Sequence, residues 1–420
     1  MELNGAKILI SGMSLEEKHT RGLKTYSKNL LNAYKELGAD ISVLISRYSP
    51  KALINTDIST LFQEINTWEH LKSVSSLSIK TMVGKASNCD LVRIPKDLNI
   101  TEDFSSLTDA GIYVSPGCYK IAKHLRYLGL KLTIAPNPKV DIWHATYCTP
   151  IKIKGTVKLT TIHDITSIRA KNNSKDKVAL RVRDAIKDSK LIICVSEHTK
   201  KDLVEFYDIN PDKFFVNYQP VLLSNEVIQK DTILNKLISY DLKYGQFILF
   251  FGQSANKNLK RLIEAYLCLS ADIPLVIVGK KDINWKSEFP QFYTELTKAE
   301  IQKRVRIIDY ISESDKYILY KGAMFLAFPS LYEGFGLPPI EAMSLGVPVI
   351  TSSVSCMPEV CGDAALYVDP YDVEDIANKI TMMINDKELR QRLIKAGYER
   401  AKIFSMDNFI NGLKTAYSKI

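Results

Sequence analysis

Two doubly wound α/β domains in tandem are predicted for this chain, on three observations. Its 420 residues are too many for one ordinary domain, which runs to about 150 residues. Short apolar strand patterns alternate with amphipathic helical ones in both halves, as in parallel βαβ units. Between the two series lies Gln219 to Gly245, a stretch without a clear period, where the linker is placed.

The first series opens with the strand Lys7–Ile10. Leu23, Tyr26, Leu30, Leu31, Tyr34 and Leu37 then recur at helical spacing, Gly38 stops the helix, and Ile41–Ile45 is the next strand. Ser49 to Asp109 is rich in Ser, Thr and Asn and gives no readable order. Regular signals return at Asp141–His144, Lys158–Ile162 and Lys190–Val195. The second series is Phe247–Phe251, Leu275–Val278, Val305–Ile308, Met324–Phe328 and Val347–Thr351, with Leu259, Leu262, Ile263, Tyr266 and Leu267 marking a helix. Ligands of open parallel sheets sit beyond the carboxyl ends of the strands. With two such sheets, the expected site is the cleft between them.

Composition narrows the class. Hydrophobic content of 46% and charged content of 25% exclude wholesale disorder and fibrous repeats. No apolar run reaches the ~20 residues that span a bilayer, and Met1–Ile10 lacks the basic start and long apolar stretch of a secretion signal. Seven cysteines without a Cys-x-x-Cys read as reduced thiols, hence a cytoplasmic protein. The net charge of +9 belongs to residues 1–225, with 32 Lys+Arg against 23 Asp+Glu; the remainder holds 24 of each. That surplus suits an anionic partner or a solvated surface. Aromatics do not alternate with it, which argues against nucleic acid. The chain has no Gly-x-Gly-x-x-Gly after the first strand, no Walker loop, no Gly-x-Ser-x-Gly elbow, no His-x-x-x-His and no Asp-x-Asp. Neither a dinucleotide site nor a metal or other cofactor is expected.

The informative segment is Phe328-Pro329-Ser330-Leu331-Tyr332-Glu333-Gly334-Phe335-Gly336-Leu337-Pro338-Pro339-Ile340-Glu341-Ala342-Met343. It reads as a strand end, a glycine-rich turn and a helix start. Glycines allow positive φ and close approach of a ligand, and Pro338 and Pro339 suit a first helical turn. A helix start favours phosphate. Glu333 in the turn and Glu341, placed on the first helical turn, bracket it with acceptors for paired sugar hydroxyls. Phosphate between hydroxyl-bearing sugars describes a nucleotide sugar. The plainer alternative is a capped helix whose glutamates favour its dipole.

These residues resemble the retaining glycosyltransferases of the GT-B fold, family four, whose mark is Glu-x7-Glu. The resemblance extends through Leu319-Tyr320-Lys321-Gly322-Ala323, Pro348-Val349-Ile350-Thr351-Ser352, Pro358-Glu359-Val360 and Gly362-Asp363-Ala364-Ala365 to Val368-Asp369-Pro370. In the front half it is carried by Thr161-Ile162-His163-Asp164 and by Cys194 to Leu203. The resemblance implies an acceptor-binding domain over 1–222, a donor-binding domain over 223–398 and a helix over 399–420 returning to the first domain.

By position, the resemblance gives Glu333 to the donor hexose hydroxyls, with amides of Gly334, Phe335, Gly336 and Leu337, and Glu341 to the ribose. Lys257 would neutralise the diphosphate and Gly252 would leave room for it. Relatives also carry an arginine in that loop, where Gln253 and Asn256 stand here. Tyr310 and Ile311 would lie near the base, although Asp309 stands where a glycine is common. In the front half, Gly22 belongs to a glycine-bearing loop beside the donor phosphate, with Lys24 adding charge or facing solvent, and His163 would stand beside hexose and acceptor. His144 is read as structural. The implied reaction moves a hexose, mannose from GDP-mannose being the first choice, to a glycan or lipid-linked acceptor in surface-polysaccharide synthesis, with retention and without a metal. A silent sugar-nucleotide-binding protein and a GT-B phosphorylase are the rivals.

Arg169 to Lys187 holds seven Lys+Arg and two acidic residues, with Val178, Val182 and Ile186 every fourth residue. It reads as a basic amphipathic helix, facing either an anionic membrane or the protein's own core.

Overall fold

The structure is a computed structural model that describes residues 3–16, 21–46, 67–93, 110–169, 176–221, 229–252, 254–269, 273–279, 303–309 and 311–420. The chain divides into two compact units. One comprises Met1–Val195, Thr199–Pro220 and Met406–Ile420; the other comprises Ser196–His198 and Val221–Ser405. The C-terminal helix Met406–Tyr417 thus belongs with the first unit, whereas 399–405 stays with the second.

The first unit is built on β1 (Lys7–Ser11), β2 (Asp40–Ile45), β3 (Ser87–Arg93), β4 (Gly111–Val114), β5 (Leu132–Asn137), β6 (Ile142–Ala145), β7 (Ile151–Ile153), β8 (Val157–Ile162), β9 (Leu191–Cys194) and β10 (Phe214–Val216). Their order is β10-β9-β8-β6-β1-β2-β4-β3-β5-β7. The pairing is parallel except between β3 and β4, a departure from the wholly parallel sheet expected. The order reverses between β1 and β6, each buried along nearly its whole length. Helix Arg21–Glu36 covers one face through Tyr26, Leu30, Ala33 and Tyr34, and Phe409, Leu413 and Tyr417 of the last helix join that core.

The second unit is a six-stranded parallel sheet: β11 (Ile248–Phe251), β12 (Leu275–Val278), β13 (Val305–Ile308), β14 (Phe325–Phe328), β15 (Val349–Ser352) and β16 (Ala365–Val368), ordered β13-β12-β11-β14-β15-β16. β11, β12 and β14 read as unbroken apolar runs because both faces are covered. The switch point lies between β11 and β14.

The structure bears on three readings of the sequence. The linker stretch contains a helix, Lys230–Ser239, whose Leu237 fills the space a side chain at Gly322 would need. Of Ser49 to Asp109, the described part forms helix Thr67–Met82 and β3. The described part of the basic helix, Lys177–Asp188, buries Ala179, Val182, Ala185 and Ile186 in the core; its apolar stripe therefore packs inward. Among the described residues no helix is long and apolar enough to cross a membrane.

Candidate active site

In the second unit, the loops leaving β11, β14 and β15 converge at the carboxyl edge, at the switch point. Glu333 and Lys257 meet there. Lys257 Nζ lies 2.7 Å from Glu333 Oε1, with the two side chains only 20% and 10% exposed. The ammonium also stands over the Phe328 ring, 4.8 Å from its centroid. Low local dielectric strengthens this pair, and the aromatic face adds to it.

The backbone around the pair is held from three sides. Ser355, at φ 60°, accepts the Glu333 N–H at 3.0 Å and donates to the Glu333 carbonyl at 2.7 Å. Asn256 donates to the Tyr332 carbonyl at 2.9 Å, and its own carbonyl accepts from Leu331 N–H at 2.7 Å. Asn258, buried and at φ 63°, donates to the carbonyls of Pro329 and Pro370 at 3.0 and 2.6 Å. Its amide therefore staples the β11 loop to those after β14 and β16.

Gly252 is required by the lysine itself. At φ 139°, a Cβ there would lie 2.6 Å from Lys257 Cγ, so the glycine makes room for the lysine stem. Gly336, at φ 85°, precedes helix Leu337–Ser344, and a Cβ on it would lie 2.2 Å from Met357 Cε. Phe335 packs its ring against Phe404, centroids 5.4 Å apart, so its side chain is core. Because Pro338 and Pro339 lack N–H groups, Leu337 and Ile340 supply the only amides of the first four helical positions. Any anion here must draw mainly on the amides of the glycine turn.

Glu341 is the fifth residue of that helix, beyond the first turn where it was expected. Its carboxylate accepts from Lys316 Nζ at 2.9 Å through Oε1 and from Tyr320 O–H at 2.9 Å through Oε2. Burial disfavours the charge on Lys316, but Glu341 and Glu313 overcome this and raise its pKa above the usual lysine value. Two of about four acceptor positions on Glu341 are thus used. Ile311 is buried just before the helix carrying Lys316 and Tyr320. Tyr310 and Gln253 lie outside the described residues.

The first unit holds His163, Gly22 and Lys24. Gly22 and Lys24 lie in the first turn of helix Arg21–Glu36, not in a loop; Gly22 is exposed and Lys24 half-buried. His163 follows β8, half-buried, with Nε2 3.2 Å from the Thr146 carbonyl. A carbonyl only accepts, so Nε2 carries the proton and Nδ1 is the acceptor nitrogen. Desolvation lowers the His163 pKa to about 4, against a raising contribution from Asp164. His144 is fully buried between Tyr34 and Thr161, its pKa pushed down to about 3 by burial and then by His163. It is structural, as read from the sequence.

A pH dependence follows. Above about pH 6.5, His144 is neutral both folded and unfolded. Below it, the unfolded chain takes up a proton that the folded one refuses until about pH 3. Stability should therefore fall with pH by about 1.4 kcal/mol per unit over that window. Thermal melts from pH 7 to 4.5 should show a shallower slope for His144→Gln; an equal slope would refute the assignment.

Two Rossmann-like units, one with a lysine–glutamate pair and a second glutamate around its switch point, define a GT-B-type transferase class. Comparisons agree with that. Residues 242–400 match the family model for glycosyl transferases group 1. O-antigen chain mannosyltransferase B of Escherichia coli is 30% identical over 270 residues, 62% of this chain and 69% of that protein. O-antigen chain mannosyltransferase RfbU of Salmonella typhimurium is 28% identical over 59% of this chain and 65% of its own length. The Anabaena protein HepE, solved in complex with UDP and glucose, superposes with TM-score 0.68 at 14% identity, covering 99% of this chain and all of its own. The chain belongs to the group 1 glycosyl transferases and has the GT-B fold.

The residues that the sequence left unread are Ser355, Asn258, Lys316 and Tyr320. Asn-Lys-Asn after a strand was the one available signal for Asn258; the others act through contacts 21 to 25 residues distant in sequence or through backbone φ.

Proposed function

We propose that the protein transfers mannose from GDP-mannose, with retention and without a metal ion, to a hydroxyl of a glycan or lipid-linked oligosaccharide of a surface polysaccharide. The observation that carries this is the Lys257–Glu333 pair at the switch point of the second sheet. The donor's diphosphate is the natural partner for Lys257, and the hexose hydroxyls are donors for Glu333. Breaking the sugar–phosphate bond puts negative charge on the departing phosphate, which Lys257 and the turn amides of Gly334 to Leu337 stabilise. The acceptor hydroxyl bonds to the anomeric carbon on the face from which the sugar–phosphate bond breaks, and the departing phosphate oxygen takes its proton, so the sugar keeps its configuration. Glu341, oriented by Lys316 and Tyr320, takes the ribose hydroxyls. Neutral His163 accepts a hydrogen bond through Nδ1 in the same reaction. The two O-antigen mannosyltransferases support the sugar and the pathway class.

We place the reaction in the cytoplasm, with the basic front half on the inner face of an anionic membrane. Since the stripe of helix Lys177–Asp188 is core, that contact rests on charge alone. The deciding experiment offers GDP-mannose and UDP-, dTDP- and ADP-sugars with lipid-linked acceptors, with and without a chelator, and reads anomeric configuration by NMR. An α-mannoside formed from GDP-mannose in chelator is expected. An inverted product, or turnover of another donor alone, would overturn the reading.

A further inference from the structure

We propose that Tyr26, Thr161, His144, Tyr34 and Tyr417 form a buried positioning relay that ties His163 to the C-terminal helix and fixes the imidazole's orientation for transfer. The proposal rests on the reading of His163 as a residue of the transfer reaction.

The contacts are continuous and lie within the first unit. Tyr417 and Tyr34 hydroxyls are 2.5 Å apart, and Tyr34 O–H is 2.5 Å from His144 Nδ1. His144 Nε2 is 2.8 Å from Thr161 Oγ1, which is 2.8 Å from Tyr26 O–H. The Tyr26 ring meets His163 edge to face, centroids 4.7 Å apart at 89°, and packs against Phe409 on its other flank. All five relay side chains are fully buried.

Proton accounting gives the relay a direction. A neutral imidazole has one N–H and one lone pair. Either Tyr34 donates to Nδ1 while Nε2–H donates to Thr161, or Thr161 donates to Nε2 while Nδ1–H donates to Tyr34. Burial keeps His144 neutral, so a third state with both nitrogens donating is absent at ordinary pH. The hydrogen bonds on the two sides of His144 therefore choose together, and removing one hydroxyl leaves a buried partner without its match. Tyr26 is the last member. Its hydroxyl is anchored by Thr161, and its ring is a wall against which His163 rests, while the Thr146 carbonyl holds Nε2. A ring seated by one wall and one hydrogen bond is misdirected when the wall shifts, and sub-ångström misplacement is costly in catalysis.

The test uses Thr161→Val, Thr161→Ser, Tyr34→Phe, His163→Ala and the His163→Ala/Tyr34→Phe double variant in the full chain. Turnover of GDP-mannose is read below the melting temperature, and the imidazole ¹⁵N shifts of His163 are recorded without substrate. Thr161→Val and Tyr34→Phe should lower kcat about fivefold or more with donor KM within twofold, and should mix the His163 tautomers. Thr161→Ser, which keeps the hydroxyl, should restore both readouts. Tyr34→Phe should cost nothing further once His163 is alanine. Wild-type kcat and shifts in Thr161→Val and Tyr34→Phe, or full additivity with His163→Ala, would overturn the relay alone. Undiminished turnover in His163→Ala would overturn the reading of His163, and the relay with it.

Discussion

Replacing Lys257 by alanine should lower kcat for hexosyl transfer by about 10²–10³-fold, the cost of deleting one well-placed group that stabilises developing negative charge. Its ammonium pairs with Glu333 Oε1 at 2.7 Å. Alanine also removes the stem packed over Gly252 and leaves Glu333 with a buried charge, and breaking a buried pair from one side costs about 3–5 kcal/mol. Lys257→Met separates the two effects: it keeps an apolar stem beside Gly252 and Phe328 and removes the charge. It should turn over as poorly as the alanine variant while melting closer to wild type. Glu333→Gln in the Lys257→Met background should regain further stability, since no unpaired charge remains, without regaining turnover. A Lys257→Met enzyme retaining more than a tenth of wild-type kcat would remove the lysine from the charge-stabilising role.

Strands were legible because buried parallel strands are unbroken apolar runs: β11, β12 and β14 are fully buried along their length. Helix Arg21–Glu36 was legible because Leu23, Tyr26, Leu30, Leu31 and Tyr34 keep helical spacing, although Gly22 at its start reads as loop. Lys230–Ser239 was not legible. Only Ile233 and Leu237 are buried in it, and Ile238 is 70% exposed, which blurs the period. The two glutamates stood out by spacing around a glycine turn, but what each touches did not. Lys316 reaches Glu341 from 25 positions earlier and Lys257 reaches Glu333 from 76. Spacing shows which side chains share a turn; the fold alone decides which cation arrives opposite. Gly252 shows the same limit, since its requirement comes from the path of a lysine five residues on.

Asn258 is where that limit has its largest effect on stability. Its amide gives both hydrogens to carbonyls of two other loops, its Oδ1 accepts from Arg261 at 3.1 Å, and its backbone is left-handed. Asn258→Ala deletes two buried hydrogen bonds at about 1 kcal/mol each and adds about 1–2 kcal/mol for a Cβ in the left-handed region without a local hydrogen-bonding side chain. Asn258→Gly escapes the backbone cost and loses only the bonds. Asn258→Asp keeps shape and backbone preference but turns an acceptor oxygen toward two carbonyl oxygens, so it should be the worst of the three. The expected order of melting temperature is wild type, Gly, Ala, Asp, at about 2–4 °C per kcal/mol for a unit of this size. If strain dominated, Gly would equal wild type; if the neighbouring Lys257 mattered only as a charge, folded Asn258→Gly would keep full turnover. Because the staple sets where the β11 loop, and with it Lys257, stands against the Glu333 turn, turnover of Asn258→Gly should fall even where it is fully folded.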